Sequence, residues 1–112
     1  MILYGIKNCD TVKKARRYLD DNDVVYTFHD FRVAGLDEAM INNWLKSVTW
    51  DILLNKRSTT WRNIDQQDKD AITADSAITL MMANPTLIKR PVLETGNKVI
   101  IGFNKAMYEE IV

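Results

Sequence analysis

Several things are scarce in this chain. Cysteine and histidine occur once each, as Cys9 and His29, and the only prolines, Pro85 and Pro91, lie close together late in the sequence. A single cysteine excludes an internal disulfide framework, and one cysteine with one histidine cannot enclose a zinc ion. A reducing, cytoplasmic setting is the expectation that fits. No apolar run approaches the roughly 20 residues that span a bilayer, and the strand-like start carries no export signal, so no membrane association is expected. Net charge is missing as well: fifteen basic side chains balance fifteen acidic ones. That balance removes the strong field that would draw the protein directly to nucleic acid or anionic lipid. No repeat, low-complexity tract or linker interrupts the 112 residues, so residues 1–112 are expected to form one domain around one core.

What is present is an ordered change of pattern. Ile2 to Tyr4 suits a short strand and residues 5–10 a loop. From Thr11, the apolar Val12, Ala15 and Leu19 recur at helical spacing, while Lys13, Lys14, Arg16 and Arg17 face outward, until about Asp21-Asn22. Residues 24–31, rich in β-branched and aromatic side chains, predict a second strand parallel to the first through a right-handed crossover. Leu36, Met40, Ile41, Trp44, Leu45 and Val48 then trace a helical face that continues weakly over 50–54. After a polar stretch at 55–63, Ile64, Ala71, Ile72, Ala77, Ile78, Met81 and Met82 predict two more helices before Asn84-Pro85. Residues 91–95 and 98–101 predict strands joined across Gly96-Asn97, a pair suited to a hairpin turn with positive φ. Asn104 is placed to cap a last helix reaching Val112. The sum is an α/β chain, βαβ then ββα, with a four-stranded mixed sheet and an all-helical insertion at about 36–88. That is the element order of a thioredoxin-like fold.

Cys9 stands where the first strand gives way to the first helix. Backbone N–H groups of a first helical turn lack intrahelical partners, and with the aligned peptide dipoles they favour a thiolate there. Most free cysteines are small buried hydrophobes. The neighbours Asn8, Asp10 and Thr11, however, are loop and cap formers, which makes Cys9 a solvent-reachable candidate nucleophile with Asn8 and Thr11 as candidate binding residues beside it. Redox centres of the Cys-x-x-Cys kind carry a second thiol three residues on, where this chain has Val12. A mixed disulfide on Cys9 therefore needs an external thiol, such as glutathione, or a glutaredoxin to resolve it.

Three further features bear on chemistry. Pro91 is either an edge-strand opener beside a solvated Arg90 or, in a thioredoxin-like fold, a cis proline beside the thiol with Arg90 pointing into the site. Arg57 is either a surface charge or a guanidinium that grips a carboxylate or oxyanion in bidentate fashion and stabilises the thiolate. His29 is expected to be a satisfied structural histidine in preference to a proton shuttle. The basic face of the first helix reads as a solvated one, and Trp44, Trp50 and Trp61 as core of the insertion in preference to a base-stacking surface.

Three segments in order, Tyr4-Gly-Ile-Lys-Asn-Cys9-Asp-Thr, Leu54-Asn-Lys-Arg57 and Ile88-Lys-Arg90-Pro91-Val, resemble the arsenate reductase family in its ArsC/Spx/YffB-like grouping, essentially end to end. The opening is most similar to the YffB-like branch, small bacterial proteins associated with glutathione-dependent thiol reduction. The resemblance implies that Cys9 is the nucleophile, that Arg57 and Arg90 bind anions close to it, and that Pro91 is cis. It further implies no tightly bound cofactor and no metal, glutathione as co-substrate, glutaredoxin as a further partner, and a small-molecule or protein thiol as substrate. The leading expectation is a glutathione-dependent thiol-disulfide or oxyanion reductase with one cysteine. Two alternatives stand beside it. One is arsenate reduction coupled to glutathione and glutaredoxin; those enzymes carry another arginine after the last hairpin strand, where this chain has Ile101-Gly102-Phe103-Asn104 and no arginine follows Arg90. The other is a non-enzymatic regulator that docks on RNA polymerase, as in the Spx branch.

Overall fold

In the computed structural model, which describes residues 1–111, the chain runs β1 (Ile2–Gly5), α1 (Asp10–Asp21), β2 (Thr27–Asp30), α2 (Phe31–Ala34), α3 (Glu38–Trp44), α4 (Trp50–Leu53), α5 (Thr59–Arg62), α6 (Gln66–Asp70), α7 (Ala74–Ala83), a 3-10 turn (Pro85–Leu87), β3 (Val92–Glu94), β4 (Val99–Ile101) and α8 (Lys105–Glu109). Contacts divide it into two compact units. One is Met1–Gly35 together with the chain from Arg90 on; the other is Leu36–Lys89.

The first unit holds a four-stranded sheet in the order β2-β1-β3-β4. β1 runs parallel to β2 and antiparallel to β3, and β3 is antiparallel to β4. This is the expected mixed sheet of a thioredoxin-like fold. Leu3, Leu93 and Ile100 lie in one row across three strands. Ala15 and Leu19 of α1 and Tyr108 of α8 cover that row, and Tyr18, Val24, Tyr26, Phe28 and Phe103 close its margins. Burying each large apolar side chain in such a core contributes about 1.5–3 kcal/mol. Strand alternation sends Tyr4 and Val92 to the opposite face, where the Tyr4 ring lies 5.0 Å from His29 and 6.3 Å from Phe31.

In the second unit α7 packs against α3, α4 and the 3-10 turn. Ile41, Trp44, Leu53, Ala77, Met81, Leu87 and Ile88 are fully buried. An isolated antiparallel bridge joins Leu54 to Ile88, flanked by bonds from the Asn55 N–H to the Leu87 carbonyl and from the Lys89 N–H to the Leu53 carbonyl. Trp61 and Trp50 are half-buried, and the Lys69 ammonium lies 5.3 Å from the Trp61 ring. Among the described residues no helix is long and apolar enough to cross a membrane.

Local hydrogen bonds alter several expectations. α1 starts at Asp10, one residue early, with Cys9 as its N-cap. β2 begins only at Thr27, because the Val24 N–H is committed to the Leu19 carbonyl after a left-handed Asp23 (φ 56°). It ends at Asp30, whose carboxylate accepts from the Arg32 N–H and turns Phe31 into a helix. α3 stops at Trp44, leaving Leu45 and Val48 in turns. The polar stretch 55–63 contains α5, nucleated by the Ser58 hydroxyl accepting from the Trp61 N–H. In the hairpin neither Gly96 nor Asn97 has positive φ; the Lys98 N–H donates to the Thr95 hydroxyl at 3.0 Å, so a side chain closes the turn. Arg16 is not a freely solvated charge, since its guanidinium lies 4.3 Å over the Phe28 ring and its Nε donates to the Tyr26 hydroxyl. The last helix ends at Glu109; Val112 lies outside the described residues.

Candidate functional site

One end of the sheet gathers the chemistry-bearing segments of the first unit. Gly5 pairs with Asp30 at the close of β1 and β2, and Tyr4 pairs with Val92, which directly follows Pro91. The Gly102 N–H donates to the Pro91 carbonyl at 2.8 Å, bringing the chain leaving β4 to the same end. The loop carrying Cys9 and the Arg90-Pro91 pair thus leave and enter the sheet together.

Cys9 occupies the N-cap of α1 with extended backbone (φ −96°, ψ 123°). Its carbonyl accepts from the Lys13 N–H at 3.0 Å, and its N–H donates to the Ile6 carbonyl at 3.4 Å. N-cap positions usually hold an oxygen that accepts from the first-turn N–H groups. The sulfur of Cys9 makes no such bond, and a neutral thiol is a poor acceptor. A thiolate at this position faces donors that the helix itself leaves unpaired. Cys9 is half-buried, while Asn8 and Thr11 on either side of it are exposed. Lys7, Lys13 and Lys14 are also exposed close by in sequence, with Asp10 as the opposing charge in the first turn.

The Arg90–Pro91 peptide is cis, and Pro91 is buried where β3 begins. Arg90 is half-buried overall, yet its Nε is buried with no hydrogen-bond partner among the described residues. A guanidinium carries five N–H donors and no acceptor. A buried donor left unpaired costs about 1–3 kcal/mol, more when charged, so this Nε is a donor short of an acceptor among the described residues.

The ArsC family model matches residues 4–111. The chain belongs to the ArsC family. Relatives span it nearly end to end: an uncharacterized protein of Haemophilus influenzae is 48% identical over 107 residues, covering 96% of this chain and 94% of its own. The global transcriptional regulator Spx of Streptococcus mutans is 32% identical over 106 residues, covering 92% of this chain and 76% of its own. Among solved structures, the YffB protein matches with a TM-score of 0.93 and 43% identity over 97% of this chain and 96% of that one. An arsenate reductase (ArsC) related protein from Brucella melitensis matches at 0.79 and 47%, over 97% and 91%.

In this ArsC-family chain the segment after β4 is committed to structure. The Phe103 ring lies 4.9 Å from Tyr108 and 5.8 Å from Tyr18, and the Asn104 side chain accepts from the Ala106 and Met107 N–H groups to start α8. Arg57 belongs to the second unit and is exposed; its N–H donates to the Asn55 side chain at 3.2 Å. His29 Nε2 lies 2.7 Å from the Gly35 carbonyl, and because a carbonyl only accepts, that nitrogen carries a proton. His29 therefore fastens the corner formed by β2 and α2.

Two contributors were not foreseen from the sequence. Gly102 takes φ +77° next to Pro91, signalled only by a glycine directly after a strand. Gly5 lies so close to Val12 that an added Cβ would stand 2.8 Å from Val12 Cγ2, signalled only by a glycine before the cysteine loop.

Proposed function

We propose that the protein reduces mixed disulfides by thiol exchange with glutathione, with Cys9 as the only protein thiol involved. The observation that carries this reading is the presence, at the same end of one sheet, of an N-cap thiol and of an arginine whose buried Nε lacks an acceptor among the described residues. In the first step the Cys9 thiolate attacks the glutathione sulfur of a glutathionylated substrate. A Cys9–glutathione disulfide forms, the substrate S–S bond breaks, and the substrate leaves as a thiolate that takes a proton from water. A reduced glutathione thiolate then attacks the glutathione sulfur of the adduct, releasing oxidised glutathione and the Cys9 thiolate. One reduced glutathione is consumed per cycle, and its sulfur leaves joined to the glutathionyl group taken from the substrate as oxidised glutathione. Arg90 holds a glutathione carboxylate by charge-assisted hydrogen bonds, and Asn8 and Thr11 offer polar contacts beside the thiol. Arg57 enters as a second anion holder through the family resemblance alone.

Arsenate reduction is the weaker enzymatic reading. The positions after β4 hold a core aromatic and a helix cap instead of a further arginine, which leaves fewer cations for a multiply charged oxyanion. A non-enzymatic reading draws on the 32% identity to a transcriptional regulator; its partner would be RNA polymerase, recovered with the tagged protein from extract and still recovered with Cys9→Ser. The deciding experiment for the main reading is turnover of a glutathionylated peptide with reduced glutathione. Cys9→Ser is expected to abolish it, and full turnover in that variant overturns the assignment.

A further inference from the structure

Val12 stands three residues after the thiol and is fully buried. A Cβ built on Gly5 would lie 2.8 Å from Val12 Cγ2 and 3.3 Å from Cγ1, but 3.7 Å from Val12 Cβ. Both Val12 methyls therefore rest on the bare Cα of Gly5, at a separation that a side chain on Gly5 does not permit. This contact joins the two ends of the loop that carries Cys9: the last residue of β1 and the first turn of α1. Inside the loop the direct tie is weak, since the Cys9 N–H reaches the Ile6 carbonyl only at 3.4 Å. Gly5 is held in register by its pairing with Asp30 and by the neighbouring Tyr4–Val92 pair. Val12 has a stiff χ1, because a β-branched residue keeps essentially one rotamer in a helix.

We infer that Val12 is a positioning residue for Cys9. Its seat on Gly5 fixes where the first-turn N–H groups and the sulfur stand relative to the strand that Arg90 leads. The position that would hold a resolving thiol in a Cys-x-x-Cys centre is thus used to aim the single thiol that is there. This role rests on Cys9 being the reacting group, as in the thiol exchange above, and is independent of which reagent it meets.

The test measures the rate of Cys9 modification by iodoacetamide and by oxidised glutathione, alongside urea denaturation of each variant. Gly5→Ala is expected to slow both reactions by about tenfold or more in the native state, since small misplacements of a reacting group carry penalties of that order. The double variant Gly5→Ala/Val12→Ala, which leaves only the 3.7 Å Cβ contact, is expected to recover to within about threefold of the native rate. Val12→Thr keeps the shape but buries a hydroxyl, and should lose stability while keeping the rate within about twofold. Unchanged rates in Gly5→Ala, or no recovery in the double variant, overturn the inference. If Gly5→Ala does not fold, Val12→Ala against Val12→Thr decides: a slower reaction in Val12→Ala only is expected, and equal rates overturn it. Should the iodoacetamide pattern hold while oxidised glutathione never adds, the positioning role stands and the proposed function fails.

Discussion

The Pro91 carbonyl accepts a hydrogen bond from the Gly102 N–H at 2.8 Å, so the turn leaving β4 is fastened to the residue after Arg90. Gly102 takes φ +77°, and an added Cβ would meet nothing within 4 Å. The penalty for a side chain there is conformational, not steric. Gly102→Ala is expected to lower stability by about 1–2 kcal/mol in urea denaturation. Gly102→Asn should lose less, because asparagine visits the left-handed region more readily. Equal losses would contradict this account of the turn.

Arg90 is expected to matter for charged substrates in particular. Arg90→Met should slow attack on oxidised glutathione by about tenfold, the scale of one charge-assisted hydrogen bond, and attack on an uncharged dialkyl disulfide much less. Stability should stay level or rise, since the variant removes a buried donor that has no partner among the described residues. Arg57→Ala in the same paired assay tests the second anion holder that the family resemblance implies. An equal slowing of both disulfides by Arg90→Met would remove Arg90 as a carboxylate holder.

Val12→Cys tests whether the second thiol is borrowed. A glutathione adduct formed on the native protein should persist until free thiol is added, because the chain has no other cysteine. In Val12→Cys the new thiol lies within the first turn of α1, where it can attack the adduct. That variant should release glutathione at a rate independent of added thiol, read by mass spectrometry over time. Spontaneous release from the native chain would contradict the borrowed-thiol step.

Tyr108 is fully buried, and its hydroxyl has no hydrogen-bond partner among the described residues. Burial pushes its phenol above the ordinary value near 10. Below that pH folded and unfolded chains both hold the proton, so the group gives no pH dependence. Above it the unfolded chain releases a proton that the folded chain keeps, and stability falls as pH rises. Tyr108→Phe should remove that alkaline loss and leave neutral stability unchanged or up to about 1 kcal/mol higher, whereas Tyr108→Ala should cost about 3–5 kcal/mol. Denaturation at about pH 7 and about pH 11 measures both; a clear loss at neutral pH in Tyr108→Phe would reveal a satisfied hydroxyl.

Periodicity made the frame legible. Val12, Ala15 and Leu19, chosen for helical spacing alone, are all fully buried, and the strand runs around Leu3, Leu93 and Ile100 pair in one row. Boundaries were less legible because single side-chain bonds set them: Asp30 turning β2 into α2, Ser58 starting α5, and Thr95 closing the hairpin. Such bonds compete with strand and turn preferences that are themselves weak. At the site, cap-forming neighbours announced the helix start at Cys9. The buried Nε of Arg90 and the Gly5–Val12 contact did not show, since both are features of the folded chain and neither has a spacing pattern.

The most direct measurement of the central claim is intact-mass analysis of native protein and Cys9→Ser, first with oxidised and then with reduced glutathione. The expected result is one glutathione on the native chain, none on Cys9→Ser, and full release of the adduct by reduced glutathione. A native chain that takes up no glutathione, or holds it against excess reduced glutathione, would contradict a single-thiol exchange at Cys9.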